Sequence, residues 1–155
     1  MRIVRAAVAS DLDALQALYL HLNPERPELS PATASRIFGE ILARPDCHLF
    51  VAEVGFLAKA GGELVASCML GTMPNLMRGG RPYALLENVV AHAAHRRQGH
   101  ARAVVEAALA KAWEAGAYHV YLLTARPDPG VRLFYESCGF VLGRKAGYVA
   151  QAPAG

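Results

Sequence analysis

An α/β fold with an antiparallel hairpin near its middle follows from three features of the sequence. Apolar residues recur at three- and four-residue spacing over 11–22 and again over 101–112, as amphipathic helices require. Between these stretches, from Cys47 to Met73, the pattern changes to short apolar runs broken by Lys59-Ala60-Gly61-Gly62, the signature of two strands joined by a hairpin. The run Y-A-L-L-E-N-V-V-A then reads as a buried strand that feeds through a short loop into the second of those helices.

Taken in order, residues 2–8 form a short strand, and Ser10 followed by Asp13 resembles a helix N-cap with an acid in the first turn. Leu12, Leu15, Leu18, Tyr19 and Leu22 make the apolar stripe of the first helix, which Asn23-Pro24 stops. Ser30-Pro31 opens the next helix, with proline where a missing N–H costs nothing. After the hairpin, residues 74–82 are a loop and 83–91 the buried strand. Ala101, Val104, Val105, Ala108, Leu109 and Ala112 mark one face of a long helix ending near Gly116, with Trp113 anchoring it to the sheet. Residues 119–124 are a strand, and Arg126 to Gly130 a turn. A short helix follows, which Gly139 stops before a last strand or hairpin around 140–149. This order is not the strict strand-helix alternation of a doubly wound dinucleotide fold.

The 155 residues, 54% hydrophobic and 19% charged, suit one domain over 1–155 with a single core. A net charge of +3 is too small to make nucleic acid or an anionic membrane the default partner. Cys47, Cys68 and Cys138 are odd in number and far apart, which suggests neither a disulfide framework nor a zinc ribbon. With no apolar leader and no stretch near the ~18 residues of a membrane span, a soluble cytoplasmic protein is expected.

The chemistry concentrates in Glu87 to Arg102, E-N-V-V-A-H-A-A-H-R-R-Q-G-H-A-R, where the buried strand turns into the long helix. Arg96-x-x-Gly99-x-Ala101 sits at that turn. A helix N-terminus offers unpaired N–H groups and partial positive charge, while Gly99 and Ala101 let a phosphate approach the backbone. Arg96, Arg97 and Arg102 add charge nearby. Cations oppose the dipole at this end of a helix, so their presence calls for solvation or an anion.

This segment resembles the acetyl-CoA signature of the GNAT-type N-acetyltransferases, R/Q-x-x-G-x-G/A after a strand. Phe134-Tyr135-Glu136-Ser137-Cys138-Gly139-Phe140 resembles the F-Y-x-x-x-G-F of that family's C-terminal motif. The resemblance covers residues 2–149. It implies the GNAT fold, a mixed sheet of six to seven strands flanked by four helices, and acetyl-CoA as co-substrate. It also implies that Val89, Val90 and Ala91 bond the pantetheine arm through their backbone, where this strand splays from the next at a bulge. Arg96, Arg97, Gln98, Gly99, His100, Ala101 and Arg102 would then cradle the pyrophosphate. Asp128 stands where many members have an asparagine that contacts CoA, and Ala101 where many have a second glycine.

Acetyl transfer to an amine needs a neutral nucleophile, stabilisation of the oxyanion and a proton for the departing thiolate. The resemblance implies Tyr135 as that acid, and the backbone N–H groups of the Val89 to Val90 region suit the oxyanion. Glu87 is the candidate base or substrate ligand, set against a structural salt bridge. On a regular strand it shares a face with Val89 and Ala91, with Asn88 opposite. E-N-V-V-A and F-Y-E-S-C-G-F further resemble the E-D-V-V-V and F-Y-E-K-C-G-F of glucosamine-6-phosphate N-acetyltransferases, which places Glu87 and Asn88 at the substrate site.

His92 and His95 form an H-x-x-H on a loop with no third ligand evident, so no metal is expected. The leading expectation is transfer from acetyl-CoA to a primary amine of a small molecule in a ternary complex. Other acceptors, an amino-sugar phosphate or a protein amine, stay open. Retention of Glu87 and Tyr135 argues against a non-catalytic acyl-CoA sensor, and too few basic residues and aromatics share a face for nucleic-acid binding. Arg78 and Arg81 hint at an anionic group on the acceptor, and the resemblance implies a homodimer.

Overall fold

The structure is a computed structural model that describes residues 1–57 and 61–153, with Phe56, Leu57 and Gly61 described by their backbone alone. The expected turn at Lys59-Ala60 lies outside the described residues. The chain divides into two units, Met1–Leu122 and Leu123–Gly155.

The first unit is a five-stranded sheet in the order β1 (Arg2–Ala6), β2 (Cys47–Leu57), β3 (Gly61–Met73), β4 (Tyr83–Ala91), β5 (Val120–Tyr121). Neighbours run antiparallel except β4 and β5, which are parallel, so the sheet is mixed. Helix α1 (Leu12–Tyr19) packs on β3 and β4, α2 (Pro31–Ala43) on β2, and α3 (His100–Glu114) on β1 to β4. The two faces are separable by their contacts. Leu15 and Phe38 of the first helices cluster with Leu49, Val51 and Leu64, joined by Tyr19 and Met69. Toward α3, the buried Cys68 thiol donates to the Val104 carbonyl at 3.2 Å. Burial pushes that thiol up to about 12, leaving it a packing group.

Local chemistry explains the element ends. Ser30 Oγ accepts from the Thr33 N–H at 3.2 Å, with Pro31 at the first helical position, as expected. Ser10 is not a cap. A 3₁₀ turn at Ala9–Asp11 precedes α1, and Asp11 reaches back to accept the Val8 N–H at 2.8 Å. The regular part of α1 stops at Tyr19 and tightens through 3₁₀-type bonds as far as Leu22. At the end of α3, Gly116 at φ 77° donates to Trp113 O, and Ala117 donates to Ala112 O. That is a Schellman stop, which needs a left-handed residue. The indole does not anchor α3: Trp113 is 52% exposed.

In the second unit, α4 (Pro129–Ser137) ends the same way, with Gly139 at φ 91° donating to Glu136 O and Phe140 to Tyr135 O. The rings of Tyr135 and Phe140 meet at 5.9 Å, the hydrophobic contact that accompanies this stop. The F-Y-E-S-C-G-F motif is therefore, physically, one helix terminus.

The sheet has five strands among the described residues instead of six to seven, and the described residues hold the four α-helices expected, of which α1, α2 and α3 pack on the sheet. Residues 140–149 form turns and irregular chain. Gly143, Arg144, Lys145 and Gly147 interrupt the apolar positions there, and Val141, Leu142, Tyr148 and Val149 are all exposed. No helix among the described residues is long and apolar enough to cross a membrane.

Candidate active site

Strand β4 is where the fold departs from regularity. Met69 pairs with Glu87 and Ser67 with Val90, so Asn88 and Val89 together oppose the single residue Cys68. This is a β-bulge, and Asn88 takes it up at φ 53°, a left-handed conformation that asparagine tolerates better than most residues. The bulge corrects the expected facing. Paired residues share a face, so Glu87 now looks the same way as Met69, Ser67 and Val90, and Ala91 lies on the opposite face with Ala66.

The ladder from β4 to its parallel neighbour is short. β5 pairs with β4 at Ala84 and Leu85 only, and from Leu86 to Ala91 the edge toward β5 is bare among the described residues. β5 is thus Val120–Tyr121 alone, shorter than the expected 119–124. Beside the bulge, the β4 backbone groups of this stretch that do not point at β3 have no strand partner among the described residues.

After β4 the chain makes a 3₁₀ turn at Ala93–His95 and enters α3. Arg97 at φ 59° and Gly99 at φ 77° are both left-handed, two residues apart. Successive N–H groups in such turns form an anion-binding concavity. Gly99 is the N-cap of α3, and no side chain caps the helix. The first-turn N–H groups, unpaired within any helix, thus face an exposed loop that carries Arg96, Arg97 and Gln98. An added Cβ on Gly99 would sit 3.4 Å from a guanidinium nitrogen of Arg2. Arg102 pairs with Glu106 at 2.8 Å, one turn on. His100 is buried, its Nδ1 has no partner, and burial followed by the charge of Arg2 lowers its pKa.

Glu87 is exposed and makes no hydrogen bond or ion pair among the described residues, so the structural salt bridge weighed against it is absent there. Its neighbour Asn88 is also exposed. In the second unit, Tyr135 is half-buried on α4, its ring 5.0 Å from Phe134. Asp128 caps that helix: its Oδ1 accepts the Gly130 N–H at 2.7 Å.

Sequence reasoning missed a file of four histidines. The ring centroids of His21 and His92 are 4.1 Å apart, those of His92 and His95 5.4 Å, and those of His95 and His100 6.1 Å. Glu63 adds the third donor that the sequence does not reveal, because it comes from the start of β3. Donor atoms of Glu63, His92 and His95 lie within 4.8 Å of one another. They have protein partners already: His95 Nε2 is 3.3 Å from Glu63 Oε2, and His92 Nδ1 accepts the Ala94 N–H at 3.2 Å. His21, at the end of α1, has its pKa lowered by burial and then by His92 and Arg96.

The arginines that hinted at an anionic acceptor are engaged elsewhere. Arg81 donates to the carbonyls of Gly116 and Ala117, both at 3.0 Å, and so closes the C-terminus of α3. Arg78 lies over the Tyr118 ring at 5.7 Å.

A mixed sheet whose fourth strand bulges, bares its edge and runs into a helix N-terminus without a side-chain cap offers backbone N–H groups to an anionic ligand. Comparison with known proteins gives the class. The Acetyltransferase (GNAT) family matches residues 15–140, and the chain belongs to that family. It is an acetyltransferase, of a family that uses acetyl-CoA. A protein of Oryza sativa subsp. japonica named "Probable glucosamine 6-phosphate N-acetyltransferase 2" is 30% identical over 115 residues, 74% of this chain and 67% of that one. The solved structure of a "Putative acetyltransferase from Agrobacterium tumefaciens str. C58" superposes with a TM-score of 0.84 at 42% identity, covering 96% of this chain and 99% of that one. Glucosamine-6-phosphate N-acetyltransferase from Arabidopsis thaliana shares the fold, with a TM-score of 0.83 at 20% identity over 99% of each chain.

Proposed function

We propose that residues 1–155 constitute one N-acetyltransferase domain that moves an acetyl group directly from acetyl-CoA to a primary amine of a small molecule. The observation that carries this reading is the bare, bulged edge of β4 leading into the nest at Arg97 to Gly99. Backbone groups of Val89, Val90 and Ala91 bond the pantetheine arm, and the α3 N-terminus takes the pyrophosphate. Arg96, Arg97, Gln98, His100, Ala101 and Arg102 line that cradle. Acetyl-CoA supplies the activated acyl group when bound; the protein supplies position and proton management.

Glu87, exposed and unpaired, takes the amine's proton directly or through water, with Asn88 beside it on the acceptor. N–H groups freed by the bulge hold the oxyanion. Tyr135 gives its phenolic proton to the departing thiolate, and Asp128 positions α4 as its cap. A cytoplasmic homodimer completes the proposal. Three free thiols support the reducing compartment, and sedimentation of the purified protein tests the dimer.

The deciding experiment follows thiol release from acetyl-CoA over a panel of amines, with Tyr135→Phe in parallel. A productive amine whose kcat falls about 100-fold in the variant supports the assignment. Unchanged kcat removes Tyr135 as the acid. A panel that yields no turnover, while acetyl-CoA still raises the melting temperature, turns the reading toward a binding module.

A further inference from the structure

The turn that leads from β4 toward α3 gathers imidazoles on a fixed backbone. His92 caps the 3₁₀ turn Ala93–His95, and His95 closes it, its N–H donating to the His92 carbonyl at 2.9 Å. That single turn sets the two ring centroids 5.4 Å apart. The His92 N–H donates in addition to the Val65 carbonyl at 2.8 Å, which continues the pairing of β3 with β4 beyond Ala91. Glu63 lies two residues before Val65 on β3, so sheet and turn together bring its carboxylate to the imidazoles.

Three features of this cluster suit a divalent cation. One donor atom from each of Glu63, His92 and His95 lies within 4.8 Å of the other two. The distance from His95 Nε2 to Glu63 Oε2, 3.3 Å, matches the edge of a tetrahedron whose centre is about 2.0–2.1 Å from each ligand. Among the described residues Glu63 is the one carboxylate in ion-pair reach of the histidine file, which His21 and His100 extend on either side. Several imidazoles around a single acid lack the anions that a set of imidazolium pairs needs. They are the right donors for a metal, which binds imidazole in its neutral form.

The contacts already present are ones that an ion replaces. A proton joins His95 to Glu63, and a cation takes its place between the same two atoms. The hydrogen bond to the His92 ring is the 3.2 Å one from the exposed Ala94 N–H, which water can take over. Side-chain exposures of 56% for Glu63 and 25% for His95 leave the cluster open to ions from solvent. Two imidazoles and one carboxylate favour zinc and the later first-row metals, whereas magnesium and calcium take oxygen ligands.

We propose that Glu63, His92 and His95 bind one divalent cation of the zinc class, which pins the start of β3 to the turn that opens into the loop at 96–99. Three protein ligands leave the fourth tetrahedral position to water. The site lies outside the acetyl-transfer machinery proposed above, and its test needs no acyl transfer.

The probes are Zn²⁺ and Co²⁺, added to the untagged full chain after treatment with a chelator. Calorimetry should give one Zn²⁺ per chain, and free Zn²⁺ at about a hundredfold excess over Kd should raise Tm by about 5–10 °C. Cobalt should bring the visible bands of a tetrahedral ion, without the thiolate charge-transfer band that binding at Cys47 or Cys138 would add. Glu63→Gln and His95→Gln should each weaken Zn²⁺ binding more than about 100-fold, beyond the loss of an outer-shell partner. His48→Gln, at a half-buried histidine of β2 outside the cluster, should bind as the wild type does. Failure of the wild type to take up one Zn²⁺ overturns the site, and this arm decides even if a variant fails to fold. Uptake that Glu63→Gln and His95→Gln leave unchanged, or a thiolate band with cobalt, places the ion elsewhere and overturns it too.

Discussion

Replacing Arg5 by methionine removes the charge at the centre of a buried network and keeps most of the side chain's apolar stem. Arg5 grips Asp11 with two nitrogens at 2.7 and 2.9 Å, and its Nε donates to Glu53 at 2.9 Å. The side chains of Asp11 and Glu53 are each 8% exposed, and that of Arg5 31%. This one guanidinium ties β1 to the start of α1 and to the middle of β2. Arg5→Met leaves the buried carboxylates of Asp11 and Glu53 without their cation. Breaking such a pair costs about 3–5 kcal/mol, and the partial exposure of Arg5 argues for the lower figure. In a chain of this size each kcal/mol moves Tm by about 2–4 °C, so a fall of about 6–12 °C is expected at pH 7.

The pH dependence carries the diagnostic sign. Hydrogen bonding from Arg5, then from the Val8 N–H, holds the Asp11 carboxyl below its ordinary value of 3.8. A depressed carboxylate contributes stability that is present above 3.8 and lost as pH falls through the folded value. The gap between wild type and Arg5→Met should therefore be widest near pH 7 and shrink below about pH 4. Thermal melts followed by circular dichroism from pH 3 to pH 7 measure it. A gap under about 2 °C at neutral pH, or one that persists unchanged at pH 3, refutes the network as the source of the stability.

Two further substitutions probe the α3 terminus. Gly99→Ala forces a Cβ into φ 77°, while the nearest atom, on Arg2, is at an ordinary 3.4 Å. Backbone strain of about 1–2 kcal/mol is expected, seen as a Tm loss of a few degrees. Affinity for acetyl-CoA by calorimetry should fall far more than stability does. His100→Leu replaces a buried imidazole with an unpartnered Nδ1 by an apolar group of similar size. Because the folded pKa of His100 is lowered, the wild type loses stability as pH falls below about 6.5. Melts at pH 8 and pH 5.5 should show the leucine variant losing less.

The fold was legible where local chemistry and periodicity agreed. Ser30-Pro31, Gly116 and Gly139 announced their helix ends, and each lies at the cap or stop its chemistry requires. Legibility failed where tertiary contacts outweighed local preference. Ser10 has the composition of a cap, but Asp11 satisfies the Val8 N–H because Arg5 holds its carboxylate in place. Trp113 reads as core by composition and lies outside the buried stripe of α3, where His100 takes a core position instead. The motif residues of the cradle were visible as a run. The pairing of Glu63 with His95 and that of Arg5 with Glu53 join segments far apart in the chain. No spacing rule encodes them.

The bulge was legible only through the family resemblance, and its effect on facing was not. Alternation along E-N-V-V-A places Glu87 with Ala91, and one extra residue reverses that for everything beyond it. The only local signal is Asn88 itself, a residue depleted in strands and tolerant of φ 53°. The ladder to β5 stops at Leu85, short of the bulge, and leaves bare the edge that the proposal gives to the pantetheine arm. The shift brings Val90 onto the face of Glu87, opposite the buried Ser67. β4 then leads into the left-handed turns at Arg97 and Gly99, so the proposed cofactor groove rests on two departures from regular structure, the bulge and that turn.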